Sequence, residues 1–296
     1  DLVETYSISD DKKTYTFTLK KDVLWQDGTP LTAKDVKFTF DKILDPTTNT
    51  VRRSNFILDG QPIQFKILDT HRFQAILPKP YAPFLTRVSM EILPEHILGK
   101  QDINTTSFNQ NPVGSGPFIF KTWKTGQYIE LVRNDTYHGK KPKLKGILYK
   151  ILPDTNTAKI ALEKGEIDMT GIQPKDYEKM KKNAMVNLFE YDDLHYSYMA
   201  FNLKNPLFQD LRLRKAIAHA INKEALIKGV LKGFGRPAEL PSSPVSWAYP
   251  EKGKVYRLPY MPERSKILLK ELGYQKGSGK FLEKEGEVLE ITLITS

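Results

Sequence analysis

Residues 14–45, TYTFTLKKDVLWQDGTPLTAKDVKFTFDKILD, carry two hydrophobic periods in succession. Tyr15, Phe17 and Leu19 alternate with Thr16, Thr18 and Lys20, the period-two signature of a strand with one buried and one wet face. After Trp25, assigned to the core, the Asp27-Gly28 pair and Pro30 turn the chain, because glycine tolerates positive φ and proline limits the conformations open to its neighbours. Thr32 and Asp35 then stand at capping-box spacing, each able to satisfy the other's amide. The helix therefore starts at Ala33. Val36, Phe40, Ile43 and Leu44 share its apolar face, and Asp45-Pro46 ends it, since a residue before proline avoids the helical region.

The same reading along the chain predicts strands at residues 63–68 and 72–77, joined about Asp69-Thr70, and a short helix at 83–90. A second hairpin is expected from 118–123 and 128–132 about Thr125-Gly126, with a third strand at 146–152. Asp154 is placed to cap a helix over 155–164 that stops at Gly165, followed by a strand at 166–169 and a helix at 175–182. An aromatic strand is expected at 196–203. Helices come next at 210–220 and 223–230, the second capped by Asn222. Residues 233–253, GFGRPAELPSSPVSWAYPEKG, are dense in proline, glycine and serine and read as a linker or domain boundary. A helix at 262–272 and a strand at 289–296 complete the set. Strands that alternate with helices predict a mixed α/β sheet architecture.

The block of residues 27–36 in its strand–turn–helix context resembles the signature of the extracytoplasmic solute-binding proteins of peptide, dipeptide and nickel ABC importers. NPVGSGPF at 111–118, the NDTYHGKKPKLKGILYKILPD run ending at Asp154, and FNLKNPLFQDLRLRKAIAHAINKEAL at 201–226 resemble the same family in the same order. The resemblance implies a periplasmic-binding-protein-like type II bilobal fold of mixed α/β class, with an extra subdomain in lobe one. It implies an accessory subdomain at 1–110, the core of lobe one at 111–232, and a linker with the beginning of lobe two at 233–296. Family members open with an earlier strand and continue well past a strand like 289–295, so the chain is expected to be a fragment with lobe two incomplete.

Composition changes this picture little. The 296 residues are 40% hydrophobic and include no cysteine, which excludes disulfides and thiolate metal sites. No run approaches the roughly 18 apolar residues of a membrane-spanning helix, and Asp1 begins in polar sequence without a signal peptide. The net charge of +10 invites a nucleic-acid reading. Against it, the lysines are scattered among acids, and the densest cluster, 140–145 with Lys150, lacks the interleaved aromatics of a single-strand platform. A solvated basic face is the reading preferred.

Catalytic constellations are not evident. No two of the five histidines stand at the i, i+4 spacing of a helical zinc pair. The KGSGK run at 276–280 departs from a phosphate loop at two positions, and no nucleophile elbow is present. The glycines of NPVGSGP expose backbone amides and let another chain approach; an ordinary turn is the alternative. Tyr196, Tyr198 and Asn202 share one parity on their expected strand and so one face. Rigid aromatics with hydroxyl handles suit a ligand that is polar along its length, although a half-buried face would look the same. Arg212 and Arg214 are read as structural, beside the capping Asp210, and Trp247 as leaning over a cleft or packing on the surface. The resemblance places ligand contacts near Gly114, Ser115 and Gly116 and near Tyr196, Tyr198 and Asn202; Asn111 and Trp247 are further candidate contacts.

The function so implied is capture of an oligo- or dipeptide in an interlobe cleft and its delivery to an ABC permease, without cofactor or covalent chemistry. The expected protein is a monomer that binds no nucleic acid, periplasmic or tethered at a bacterial cell surface as a lipoprotein, and touching the membrane only through that anchor or the permease. A nickel chelate or another small solute is the alternative cargo; a peptide hydrolase and a basic nucleic-acid binder are the alternatives of other classes.

Overall fold

A computed structural model describes residues 2–246, 248–250, 255–277 and 279–294. The chain forms two compact units, residues 1–153 and residues 154–296.

The first unit is built on an antiparallel sheet of β1 (Val3–Ile8), β2 (Thr14–Leu19), β5 (Gln64–Ile67) and β6 (Arg72–Ile76), in the order β1-β2-β6-β5. The alternation of the sequence sets its faces: Tyr15, Phe17 and Leu19 are buried while the threonines between them are not. Helix α1 (Ala33–Leu44) begins at Thr32, whose hydroxyl and amide exchange hydrogen bonds with the Lys34 amide and the Asp35 carboxylate. Its Val36, Phe40 and Ile43 enter the same core, where the rings of Phe40 and Phe65 stack at 3.9 Å with 2° between their planes. Between α1 and β5 lies a short hairpin, β3 (Ile57–Leu58) and β4 (Gln61–Pro62). Asp59 and Gly60 both have positive φ there, 51° and 78°, the backbone of a two-residue hairpin turn whose twist matches the strands. After α2 (Phe84–Val88) and α3 (Glu95–Leu98) comes a second antiparallel sheet, β7 (Phe118–Lys124), β8 (Tyr128–Arg133) and β9 (Gly146–Lys150) in sequential order. The β7–β8 register slips between Phe120 and Thr122, so Lys121 sits at a bulge.

The second unit contains α4 (Thr155–Glu163), α5 (Tyr177–Lys181), α6 (Leu211–Ala220), α7 (Lys223–Val230) and α8 (Pro262–Glu271), then a small sheet of β10 (Gln275–Lys276), β11 (Leu282–Lys284) and β12 (Glu287–Val288). Asp154, Asn222 and Asp210 each cap the next helix, as their positions predict. Helices α6 and α8 are tied where His219 Nδ1 meets the Pro259 carbonyl at 2.8 Å and the Met261 amide donates to the His219 carbonyl at 2.8 Å.

Three expected strands are absent among the described residues. Residues 166–169 are irregular because the Glu166 amide turns back to the Ala161 carbonyl and the Gly165 amide to Leu162, with Gly165 at φ 71°; the helix end absorbs the backbone groups a ladder would use. Residues 196–203 form no strand. The Asn202 side chain accepts from the Lys204 amide and its carbonyl from the Asn205 amide, so the chain turns at Asn202 instead of extending through it. Residues 289–294 continue past β12 without a ladder after the Leu289 amide reaches Leu282. Periodicity marks a segment able to join a sheet, but a strand exists only where a neighbour pairs with it.

Candidate functional site

The NPVGSGP segment is held from two sides by turns that the sequence places far from it. From one side comes Gln26, in the Trp25–Gly28 turn. Its amide donates to the Gly114 carbonyl at 2.8 Å, its Oε1 accepts the Gly114 amide at 3.0 Å, and its Nε2 donates to the carbonyls of Phe118 at 2.9 Å and Gly116 at 3.3 Å. From the other side comes Asn134, buried at the end of β8. Its Nδ2 also donates to the Gly116 carbonyl, at 3.0 Å, and its amide to Pro117 at 2.9 Å. Two side-chain amides thus share one carbonyl oxygen, which has two lone pairs to offer.

Beside this loop lies an open cleft of about 280 Å³. Its walls are the Gln26–Asp27 turn, Asn111, Pro112 and Val113, and the bulged part of β7 from Ile119 to Lys121. A smaller hollow of about 140 Å³ adjoins Asn111 and Val113 on the side of Ile97, Gln101 and Phe108. The cleft's charges are compensated. Asp27 Oδ2 stands 2.7 Å from His96 Nε2. Partial burial pushes the Asp27 carboxyl up, but the hydrogen bonds from His96 and Thr29 together outweigh it and hold the group below its ordinary value. Lys121 pairs with Glu130 at 2.7 Å, and that hydrogen bond raises the lysine. Among the described residues, the amides of Ser115 and Gly116 and the Ser115 hydroxyl have no hydrogen-bond partner.

The structure therefore places Gly114, Ser115 and Gly116 in one loop beside the cleft, and Asn111 in the cleft's wall. The Gly114 amide is already used by Gln26, so it is not a free donor. Tyr196, Tyr198 and Asn202 lie in the second unit. The two tyrosine rings approach to 5.6 Å, yet they do so on irregular chain, not on one face of a strand. Trp247 lies outside the described residues. Arg212 keeps the structural role expected of it, forked onto Asp210 with the nearest approach 2.7 Å, while Arg214 donates to the carbonyls of Phe208 and Gln209. Gln26 is not marked as a functional position by spacing, because a side-chain amide that meets backbone about ninety residues away leaves no local pattern; Asn134 stands across the β7–β8 hairpin from Pro117, and its side-chain bond to Gly116 has no motif of its own. Arg236 and Ser243 were equally hidden: within the proline-rich connection they bind Asp192 at 2.9 Å and the Asp193 carbonyl at 2.8 Å.

The whole chain, residues 1–296, matches the model of the bacterial extracellular solute-binding proteins, family 5. The chain belongs to that family. It is 34% identical to the oligopeptide-binding protein AppA of Bacillus subtilis over 309 aligned residues, covering 100% of this chain and 55% of AppA. It is 32% identical to the dipeptide-binding protein of Escherichia coli, covering 93% of the chain and 55% of that protein. Among solved structures, NikZ of Campylobacter jejuni in complex with Ni(L-His) superposes with a TM-score of 0.85 at 32% identity, over 98% of this chain and 57% of NikZ. The chain spans about half the length of the curated relatives it matches. As a family 5 solute-binding protein it has the mixed α/β fold of the type II periplasmic binding proteins. The family is extracellular and made of binding proteins. Among the described residues no helix is long and apolar enough to cross a membrane, and no group of three or more His, Cys, Asp or Glu could hold a metal ion.

Proposed function

We propose that the protein captures a peptide outside the bacterial cytoplasm, in the periplasm or tethered at the cell surface by a lipid anchor, and delivers it as a monomer to an ABC permease without covalent chemistry. The observation that carries this reading is the 34% identity to the oligopeptide-binding protein AppA along the entire chain, a protein whose structure is known in complex with a nonapeptide. An extended peptide offers backbone donors and acceptors at every residue. Amides without an internal partner, such as those of the half-buried Ser115 and Gly116, satisfy its carbonyls regardless of side-chain identity. In the second unit, taken by itself, the Tyr196–Tyr198 pair offers flat, weakly polar surface of the kind that accommodates varied side chains. No covalent step is assigned, because the family is made of solute-binding proteins.

The likeness to NikZ, solved in complex with Ni(L-His), supports a nickel chelate as the second reading. Native mass spectrometry of the full-length protein purified from its own bacterium separates the two. A ladder of peptide masses released on denaturation is the expected result. A nickel–histidine mass in its place, or the loss of all cargo together with silent calorimetry against peptide pools, overturns the peptide assignment.

A further inference from the structure

The glycines of the NPVGSGP loop are not explained by the loop's own geometry. Neither Gly114 nor Gly116 has positive φ. A Cβ at Gly116 would meet nothing within 4 Å, and one at Gly114 would stand 3.6 Å from the Gln26 carboxamide, an ordinary contact. Gly114 is covered by Gln26, but Gly116, needed neither for the turn nor for internal crowding, leaves the loop's backbone without a side chain on its open side. Bare backbone is a precise donor only if it is held still, and glycine makes the chain loose.

We propose that Gln26 is a positioning residue for ligand capture: it clamps the Gly114–Gly116 backbone so that the Ser115 and Gly116 amides present a fixed pair of donors to a peptide carbonyl. The proposal rests on the peptide-capture reading. The Gln26 side chain uses both ends of its carboxamide on this loop, accepting from Gly114 and donating to Gly116 and Phe118, and its own amide makes a fourth bond to Gly114. Asn134 closes the other side through the same Gly116 carbonyl. The carbonyls on either side of Ser115 are thereby occupied, and the two donors left over belong to adjacent residues. Gln26 acts through the loop, in the way that pre-ordering a binding segment removes the entropy otherwise lost when ligand arrives.

Gln26→Leu in the full-length protein tests this, with Gln26→Glu as the variant that keeps the acceptor for Gly114 but turns an oxygen toward the carbonyls of Gly116 and Phe118. The readouts are amide hydrogen exchange across residues 113–118, peptide-pool affinity and dissociation rate, and melting temperature. In Gln26→Leu, exchange at Gly114 is expected to accelerate about tenfold or more, and affinity to fall about tenfold, chiefly through faster dissociation. Gln26→Glu is expected to keep Gly114 protected but to weaken binding at neutral pH and recover it toward pH 4, as the carboxyl regains a proton to donate. Unchanged exchange in Gln26→Leu overturns the proposal, and so does faster exchange with unchanged affinity. Should the wild-type protein bind no peptide, the peptide-capture reading fails separately. The clamp is then decided by exchange alone, acceleration supporting it and protection refuting it.

Discussion

Asp35 Oδ1 accepts the Glu95 amide at 2.9 Å while its Oδ2 accepts the Thr32 amide at 2.8 Å, so one buried carboxylate joins the first turn of α1 to the first turn of α3. Both bonds are charge-assisted, and removal of the carboxylate leaves two amides to find other partners. Asp35→Ala is expected to lower stability by about 3 kcal/mol, and Asp35→Asn by less, since the carboxamide oxygen still serves one amide. Urea denaturation of the two variants beside the wild type checks the order. Equal losses in both would mean that the charge, not the hydrogen bonding, matters.

Phe40 lies at the centre of the first unit's core, stacked on Phe65 and edge-on to Phe56 at 5.0 Å. Phe40→Ala is expected to cost about 3–5 kcal/mol and Phe40→Leu clearly less, because the cavity left by leucine is smaller. Phe189, by contrast, is 87% exposed, and Phe189→Ala is expected to move stability by no more than about 0.5 kcal/mol. Chemical denaturation measures all three.

Asp210 is held down to about 2 from an ordinary value of 3.8, first by the Arg212 guanidinium and then by the Arg212 amide. Its folded value lies below its unfolded one. Its stabilising contribution is therefore present above about pH 3.8 and disappears as pH falls toward 2. A carboxyl-carbon NMR titration should find a midpoint near 2. In Arg212→Leu the midpoint should rise but stay below the ordinary value, since the amide bond remains. An unmoved midpoint would assign the shift to the helix terminus alone.

Gly116→Ala isolates the loop–ligand contact from the fold. Open space around the position predicts a stability change within about 0.5 kcal/mol. A methyl group in the path of an approaching peptide is expected to weaken binding about tenfold. Isothermal calorimetry on the full-length protein, with thermal melts alongside, reads both. Undiminished affinity would place the ligand elsewhere.

The local code was legible wherever a short stretch of chain satisfies its own backbone. The Thr32–Asp35 capping box, the caps at Asp154, Asn222 and Asp210, and the buried alternation of Tyr15, Phe17 and Leu19 need no partner beyond a few residues to be recognised. The family blocks at 27–36, 111–118 and 201–226 were legible for a different reason: they are read as patterns whose geometry is already solved elsewhere.

The residues alone determined every helix but α3, three of the four strands of the first sheet, the mixed α/β class and the family, while β1 was not predicted. Tertiary structure decided which candidate strands become strands: residues 166–169, 196–203 and 289–294 read as strands in the sequence but join no ladder among the described residues. It also decided what the glycine loop is. Gln26 meets Gly116 across 90 residues of chain, and a hydrogen bond of that separation arises from packing, which no local pattern encodes; Asn134 reaches the same carbonyl from the far strand of the β7–β8 hairpin.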